Sequence, residues 1–204
     1  LEPVLQMACR DRNRIALQAD LLGAHALGLR NLLCLTGDPV RAGDQQDARP
    51  VNEFDSVRLL QQVRDFNGGE DPRDGELADG PTAWFAGCAA DPQSRSWSGL
   101  QRRLQSKQAA GARFVQTQMV MDPAALERFQ RELAVPMQLP VLAGVFLLKS
   151  AKNALFINRM VPGACIPDAL IERLNNASDP AMEGIAIAAE QVKRYVGIVQ
   201  GVHL

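Results

Sequence analysis

Short apolar runs alternate with longer amphipathic stretches along the whole chain. Residues 4–8 form an apolar run that reads as a strand. Residues 12–29 carry Ile15, Ala19, Leu22, Ala26 and Leu29 at helical spacing. Asp11 stands where an N-cap is expected, and Gly28 stands near the helix end. Residues 31–35 are a second, mostly apolar run, the pattern of a parallel strand covered on both faces. Residues 38–52 are polar and rich in Gly, Pro, Asp and Gln, which predicts a long loop before a helix over 54–66. Residues 67–81 hold four glycines, two prolines and six charged residues and read as an exposed insertion loop. Further strands are predicted over 82–86, 113–117, 140–145 and 198–203. Helices are predicted over 98–110, 124–133, 150–158, 167–174 and 181–196.

Strand–helix alternation of this kind builds a parallel sheet with helical crossovers. Six such units make either an open doubly wound sheet or a barrel missing two units, and alternation does not choose between them. The 204 residues read as one domain, short for a complete (β/α)₈ barrel of about 250 residues. A hydrophobic content of 47% predicts a packed core. The 22 basic and 23 acidic residues leave a net charge of −1, without the basic excess of a nucleic-acid binder. No apolar run reaches the roughly 18 residues of a membrane-spanning helix. Leu1-Glu2-Pro3-Val4-Leu5 does not resemble a signal peptide, so a cytoplasmic location is expected. Cys9, Cys34, Cys88 and Cys165 are far apart and form no CxxC pair. They are expected to be free buried thiols, with neither a disulfide framework nor a metal site.

In either architecture, ligands gather at the carboxyl ends of the strands. Those ends mix small and polar residues, which lets a flat ligand approach the backbone while side chains bond its edges. Asp38 follows a buried strand and a glycine and precedes a proline; it is either a turn residue or a functional carboxylate. Gln118 at a strand end either pairs buried backbone groups or meets a ligand. Lys107, taken alone, reads as a solvated charge near a helix C-terminus. His25 reads as structural, and His203, in the last strand, is placed to point inward. No GxGxxG, phosphate loop, metal-ligand cluster or Ser-His-Asp set is present.

The strand ends resemble the methylenetetrahydrofolate reductase family over nearly the whole chain. The resemblance is carried by Gln6-Met7-Ala8-Cys9-Arg10-Asp11-Arg12-Asn13-Arg14, by Leu33-Cys34-Leu35-Thr36-Gly37-Asp38-Pro39 and by Phe54-Asp55-Ser56-Val57. The segment from Gly87 to Pro92 and that from Lys107 to Gln118 complete it. Each segment is weak alone; their order along successive strands makes the set specific. Met7-Ala8-Cys9 and Thr36 look most like the branch that includes fusions to homocysteine methyltransferase.

The resemblance implies a (β/α)₈ TIM-type barrel carrying FAD, with NADH or NADPH as electron donor and methylenetetrahydrofolate as substrate. It implies ping-pong hydride transfer through the flavin, which yields methyltetrahydrofolate for methionine biosynthesis. By position, Asp38 is the catalytic carboxylate beside flavin and folate. Gln6, Thr36, Gly37, Asp38, Gly87, Asp91 and Lys107 bind the cofactor, with Lys107 on its diphosphate. Gln118 and Asn153 bind substrate. A homo-oligomer and a fused or associated homocysteine methyltransferase domain are both compatible with it. The family's first two strands, the first bearing a general-acid glutamate, and the end of the barrel are not matched; Glu2-Pro3 is not that glutamate motif. Gln6 and Thr36 stand where many relatives have His and Arg. Two alternatives therefore stand beside the reductase: a catalytically incomplete flavin- or folate-binding barrel subunit, and a flavin reductase of another one-carbon carrier.

Overall fold

The structure, a computed structural model, describes residues 3–73, 75–161 and 163–204. Glu2, of the Glu2-Pro3 stretch, and position 74, of the 67–81 stretch, lie outside the described residues. The chain divides into two compact units, residues 1–89 with 102–114, and residues 90–101 with 115–204.

In the first unit, strand β1 (Val4–Ala8), helix α1 (Arg14–Ala26), strand β2 (Asn31–Leu35), helix α2 (Ser56–Asn67) and most of strand β3 (Phe85–Ala90) follow in order. The strands are parallel, with Val4 opposite Asn31 and Cys34 opposite Cys88. The α1 cap is Asn13, whose Oδ1 accepts from the Ala16 N–H at 2.9 Å. It is not Asp11, because that carboxylate is held by Arg10. Gly28, at φ +91°, closes the helix with its N–H on the His25 carbonyl and that of Leu29 on the Ala24 carbonyl. The buried face of α1 is Leu17 and Leu21, not the expected Ile15–Leu22 stripe; Ile15 is 70% exposed. The helix offers two apolar stripes, and the bond from Gln18 Nε2 to Gln62 Oε1 on α2 selects the inward one.

Helix α2 starts on Asp55, whose carboxylate accepts from Arg58 N–H, and buries Leu59, Leu60, Val63 and Phe66. Its last residue, Asn67, is a latch. Its Oδ1 accepts from Thr82 Oγ1 and the Trp84 N–H, and its Nδ2 donates to the Trp84 carbonyl. This explains why the third strand begins at Phe85 rather than at position 82. Thr82 and Trp84 are buried, but they bond the end of α2 rather than a neighbouring strand. The described residues of 67–81 include no strand or helix beyond the end of α2.

In the second unit, strand β4 (Phe114–Met119) leads into helix α4 (Pro123–Phe129) and a π-helical turn (Gln130–Ala134). Strand β5 (Val141–Gly144) follows, then helices α5 (Ala151–Met160), α6 (Asp168–Asn176) and α7 (Pro180–Tyr195), and strand β6 (Gly201–His203). Helix α3 (Trp97–Ala109) follows β3. The core here joins Met121, Leu148, Ile157, Leu174 and Ile187, with a second cluster around Val120, Leu126, Val145 and Tyr195. The Tyr195 hydroxyl donates to the Val120 carbonyl. The last strand is shorter than the expected 198–203, because the Ile198 and Val199 N–H groups turn back onto the Tyr195 carbonyl and the Gln200 side chain, through Oε1, takes the Val141 N–H.

Among the described residues the six strands follow the sheet order β1-β2-β3-β4-β5-β6, and β1–β2, β2–β3, β4–β5 and β5–β6 are parallel. This is the α/β class of the TIM-type barrel, with six of its eight strand units. No helix among the described residues is long and apolar enough to cross a membrane.

Candidate functional site

In the first unit, the turn after β2 lies close against the end of β1. Gly37 sits at φ +93°, and a Cβ there would stand 2.8 Å from the Arg10 Cβ and 3.4 Å from the Ala8 Cβ. Only glycine lets the chain turn this tightly while presenting Thr36 and Asp38 on either side. Arg10 governs Asp38. Its Nε and Nη2 clamp the Asp11 carboxylate at 2.6 and 2.7 Å, and its Nη1 donates to the Asp38 main-chain carbonyl at 2.9 Å. The guanidinium thus fixes the Asp38 backbone while spending its fork on another carboxylate. The Asp38 side chain is exposed and makes no hydrogen bond or ion pair among the described residues. Gln6, on β1, is likewise exposed with its amide unbonded among them.

Two expected site residues have local work. The Thr36 hydroxyl accepts from the Ser56 N–H at 3.1 Å and lies 3.2 Å from the Ser56 hydroxyl, so it anchors the start of α2. Gly87 is in the middle of β3 opposite Leu33, not at the strand end. Its missing side chain is filled by the Phe114 ring, which stacks on Phe85 at 5.5 Å. Lys107 is half-buried rather than solvated. Its Nζ donates to the Ala89 carbonyl at 2.8 Å, and no carboxylate pairs with it among the described residues.

Behind these strand ends lie Cys9, Cys34 and Cys88, free and buried as expected, whereas Cys165 is exposed. Burial pushes the Cys9 thiol up to about 11, with Asp55 adding to it and Arg12 opposing, and the Cys88 thiol up to about 11, with Lys107 opposing. Cys34 is raised further by burial, then by its two thiol neighbours. Thiols held protonated in this way are packing groups rather than nucleophiles.

In the second unit, Asp91 stands at the end of β3 and accepts from the Gln93 N–H at 2.9 Å. Gln93 is a connector that sequence reasoning missed. Its Oε1 accepts from the N–H groups of Met121 and Asp122, and its Nε2 donates to the Gly163 carbonyl. Gln118 is exposed near the end of β4, with its side-chain amide unbonded among the described residues. Asn153 belongs to the start of α5: its N–H donates to the Ser150 Oγ and its Oδ1 accepts from the Lys149 N–H. A cleft of about 540 Å³ is lined by Gln93, Trp97, Asp122, Arg128 and Cys165. The Arg128 guanidinium lies 4.0 Å over the Trp97 ring.

A parallel α/β chain of the TIM-barrel class gathers its ligands at the carboxyl ends of its strands, where this chain leaves polar side chains open among the described residues. The family model for methylenetetrahydrofolate reductase matches residues 1–204, and the chain belongs to that family. It is 24% identical over 217 residues to Methylenetetrahydrofolate reductase 2 of Schizosaccharomyces pombe, covering 97% of this chain and 32% of that protein. It is 26% identical over 151 residues to the Caenorhabditis elegans "Probable methylenetetrahydrofolate reductase (NADPH)", covering 71% of this chain and 20% of that protein. The chain therefore spans a third or less of these curated relatives. Among solved structures it is similar to an uncharacterized protein from Clostridium thermocellum that binds two copies of 5-methyl-5,6,7,8-tetrahydrofolic acid. That likeness has a TM-score of 0.47 at 14% identity, covering 98% of this chain and 86% of that one. It is also similar to dihydrodipicolinate synthase from Rhodopseudomonas palustris, at a TM-score of 0.44 and 10% identity, covering 98% of this chain and 60% of that one.

Proposed function

We propose that this chain contributes the flavin and folate site of a methylenetetrahydrofolate reductase, which uses NADH or NADPH to convert 5,10-methylenetetrahydrofolate to 5-methyltetrahydrofolate. Family membership supports the reaction class. The observation that carries the residue assignment is the open Asp38 carboxylate, held in place through its own backbone by Arg10. When bound, FAD supplies the relay that takes hydride from the nicotinamide donor and delivers it to the folate.

The residues present fit that group. The Gly37 turn is a close-packed cradle that a Cβ would fill, and Lys107 carries a half-buried ammonium with donors to spare and no carboxylate partner among the described residues. In this reading Lys107 holds the diphosphate as a point charge. Gln6, Thr36, Gly37 and Asp91 contact the cofactor, and Gly87 shapes the strand beneath it. Asp38 faces the iminium cation formed when the folate imidazolidine ring opens, and stabilises that charge more in the transition state than in the ground state. Gln118 bonds the pterin or the nicotinamide. Asn153 contributes its Nδ2, the part of its amide not engaged at the start of α5.

The test is to purify the protein, titrate it with FAD and follow the two half-reactions by stopped-flow flavin absorbance. Asp38→Asn is expected to slow flavin reoxidation by methylenetetrahydrofolate on the order of 100-fold while changing flavin reduction by NAD(P)H much less. Equal slowing of both steps refutes the cation-stabilising role. Bound flavin without NAD(P)H oxidation favours a binding subunit, and no flavin uptake removes the reading altogether.

A further inference from the structure

We infer that His203 is a positioning residue for the substrate contact of Gln118, acting through the Thr117–Gln118 peptide; this rests on the reading of Gln118 given above. Strand β4 carries a bulge at this point. Gln116 pairs with Leu142, but the next paired residues are Met119 and Gly144, so β4 has one residue more than β5 between the two pairs. A bulge takes backbone groups off the ladder and re-aims a side chain. Here three of the groups around the bulge are caught by side chains. The Thr117 hydroxyl accepts from the Gly144 N–H at 2.9 Å and donates to the Gln118 carbonyl at 2.7 Å. The Thr117 carbonyl is met by His203 Nε2 at 3.0 Å, from β6, on the far side of β5. The ladder resumes where the Val120 N–H donates to the Gly144 carbonyl.

The bulged peptide closes onto β5 because Gly144, the partner of His203 there, has no side chain. A Cβ on Gly144 would stand 2.7 Å from the Gln118 carbonyl oxygen. The chemistry sets the ring's state. A carbonyl only accepts, so Nε2 carries the proton. Nδ1 then accepts from the Gln116 Nε2 amide at 3.2 Å. Gln116 and Thr117 are 8% and 3% exposed, so these bonds are shielded from competing water. The Gln118 side-chain amide is left open among the described residues, while the carbonyls of Thr117 and Gln118 are both held. Removing the imidazole leaves a buried carbonyl unpaired, which the peptide relieves by rotating, and the Gln118 amide rotates with it.

The test is a double-mutant cycle on equilibrium binding of 5-methyltetrahydrofolate, with Gln118→Ala, His203→Phe and both together. His203→Phe is expected to weaken binding about 10-fold. His203→Gln, whose amide can still donate to Thr117, is expected to restore it to within about 3-fold. In the Gln118→Ala background, His203→Phe is expected to add nothing further. A ligand-free readout stands beside the cycle: imidazole ¹⁵N spectra of the unsubstituted protein are expected to show the neutral Nε2–H tautomer. Full additivity of the two substitutions in a protein that binds the folate overturns the inference alone, as does an Nδ1–H tautomer, even if His203→Phe fails to fold. An unsubstituted protein that does not bind the folate overturns the proposed function and this inference with it.

Discussion

Adding one methyl group at Gly23 and at Gly184 should move stability in opposite directions. Both glycines lie inside helices, Gly23 in α1 and Gly184 in α7. A helix-interior glycine costs about 0.5–1 kcal/mol relative to alanine, because the unfolded chain has more freedom to lose. At Gly23 a Cβ meets nothing within 4 Å. Gly23→Ala should therefore gain about 0.5–1 kcal/mol. At Gly184 a Cβ falls on the Leu148 carbonyl oxygen, far inside the 3.0 Å that real Cβ atoms keep. Relief needs the α7 backbone and the segment after β5 to part by more than an ångström. Overpacking of this kind costs about 1–3 kcal/mol or more, which outweighs the propensity gain. At roughly 2–4 °C per kcal/mol for a chain of this size, Gly23→Ala should melt a few degrees higher and Gly184→Ala several degrees lower. Urea unfolding followed by circular dichroism gives both signs in one experiment. A Gly184→Ala variant as stable as the parent would refute the packing argument. The damaged segment also leads to Ser150 and Asn153, so folate affinity should fall in that variant and hold in Gly23→Ala.

Two further perturbations test the electrostatics. Lys107→Met should weaken the proposed FAD binding about 10-fold or more by removing the ammonium, which meets no carboxylate among the described residues, measured by flavin fluorescence quenching; unchanged affinity would separate Lys107 from the cofactor. His25 accepts from the Ala83 N–H through Nε2, and burial, then the Arg30 charge, hold its pKa below 6.5. The unfolded chain takes that proton more readily, so the stability His25 contributes is complete above pH 6.5 and is lost as pH falls through its folded pKa. His25→Gln should flatten the melting temperature between about pH 7.5 and pH 5.5. An unaltered slope would show that His25 does not titrate in this way.

Much of the architecture is legible in local pattern. The apolar run at β2 and the Gly28 stop of α1 each act through neighbours in sequence. Strand β3 is hard to place by pattern because after Phe85 it runs Ala-Gly-Cys-Ala-Ala; Gly and Ala have low strand propensity, and the small residues suit a strand crossed by the Phe114 ring. The buried face of α1 is ambiguous in the sequence because two apolar stripes compete on it, and a contact with α2, 44 residues away, decides between them. At the site, Asp38 is visible as a polar residue ending a buried strand. The Arg10 clamp on its backbone spans 28 residues, and the His203 contact with Thr117 spans 86. No window of sequence contains such a pair, so the groups that hold these backbones emerge only from the fold.

The Asn67 latch has a consequence for how this chain tolerates change. A side-chain amide ties the end of α2 to the backbone entering β3, so the core registers where the intervening stretch leaves and returns, not what it contains. With its base closed, lengthening the stretch costs chain entropy that grows only logarithmically, about 0.6 kcal/mol per doubling. Residues 68–81 are thus a site where a tag, a recognition segment or a small domain could be inserted with little effect on the strand ends, provided Asn67, Thr82 and Trp84 are kept. Replacing Asn67 would turn the same insertion into a lever on β3.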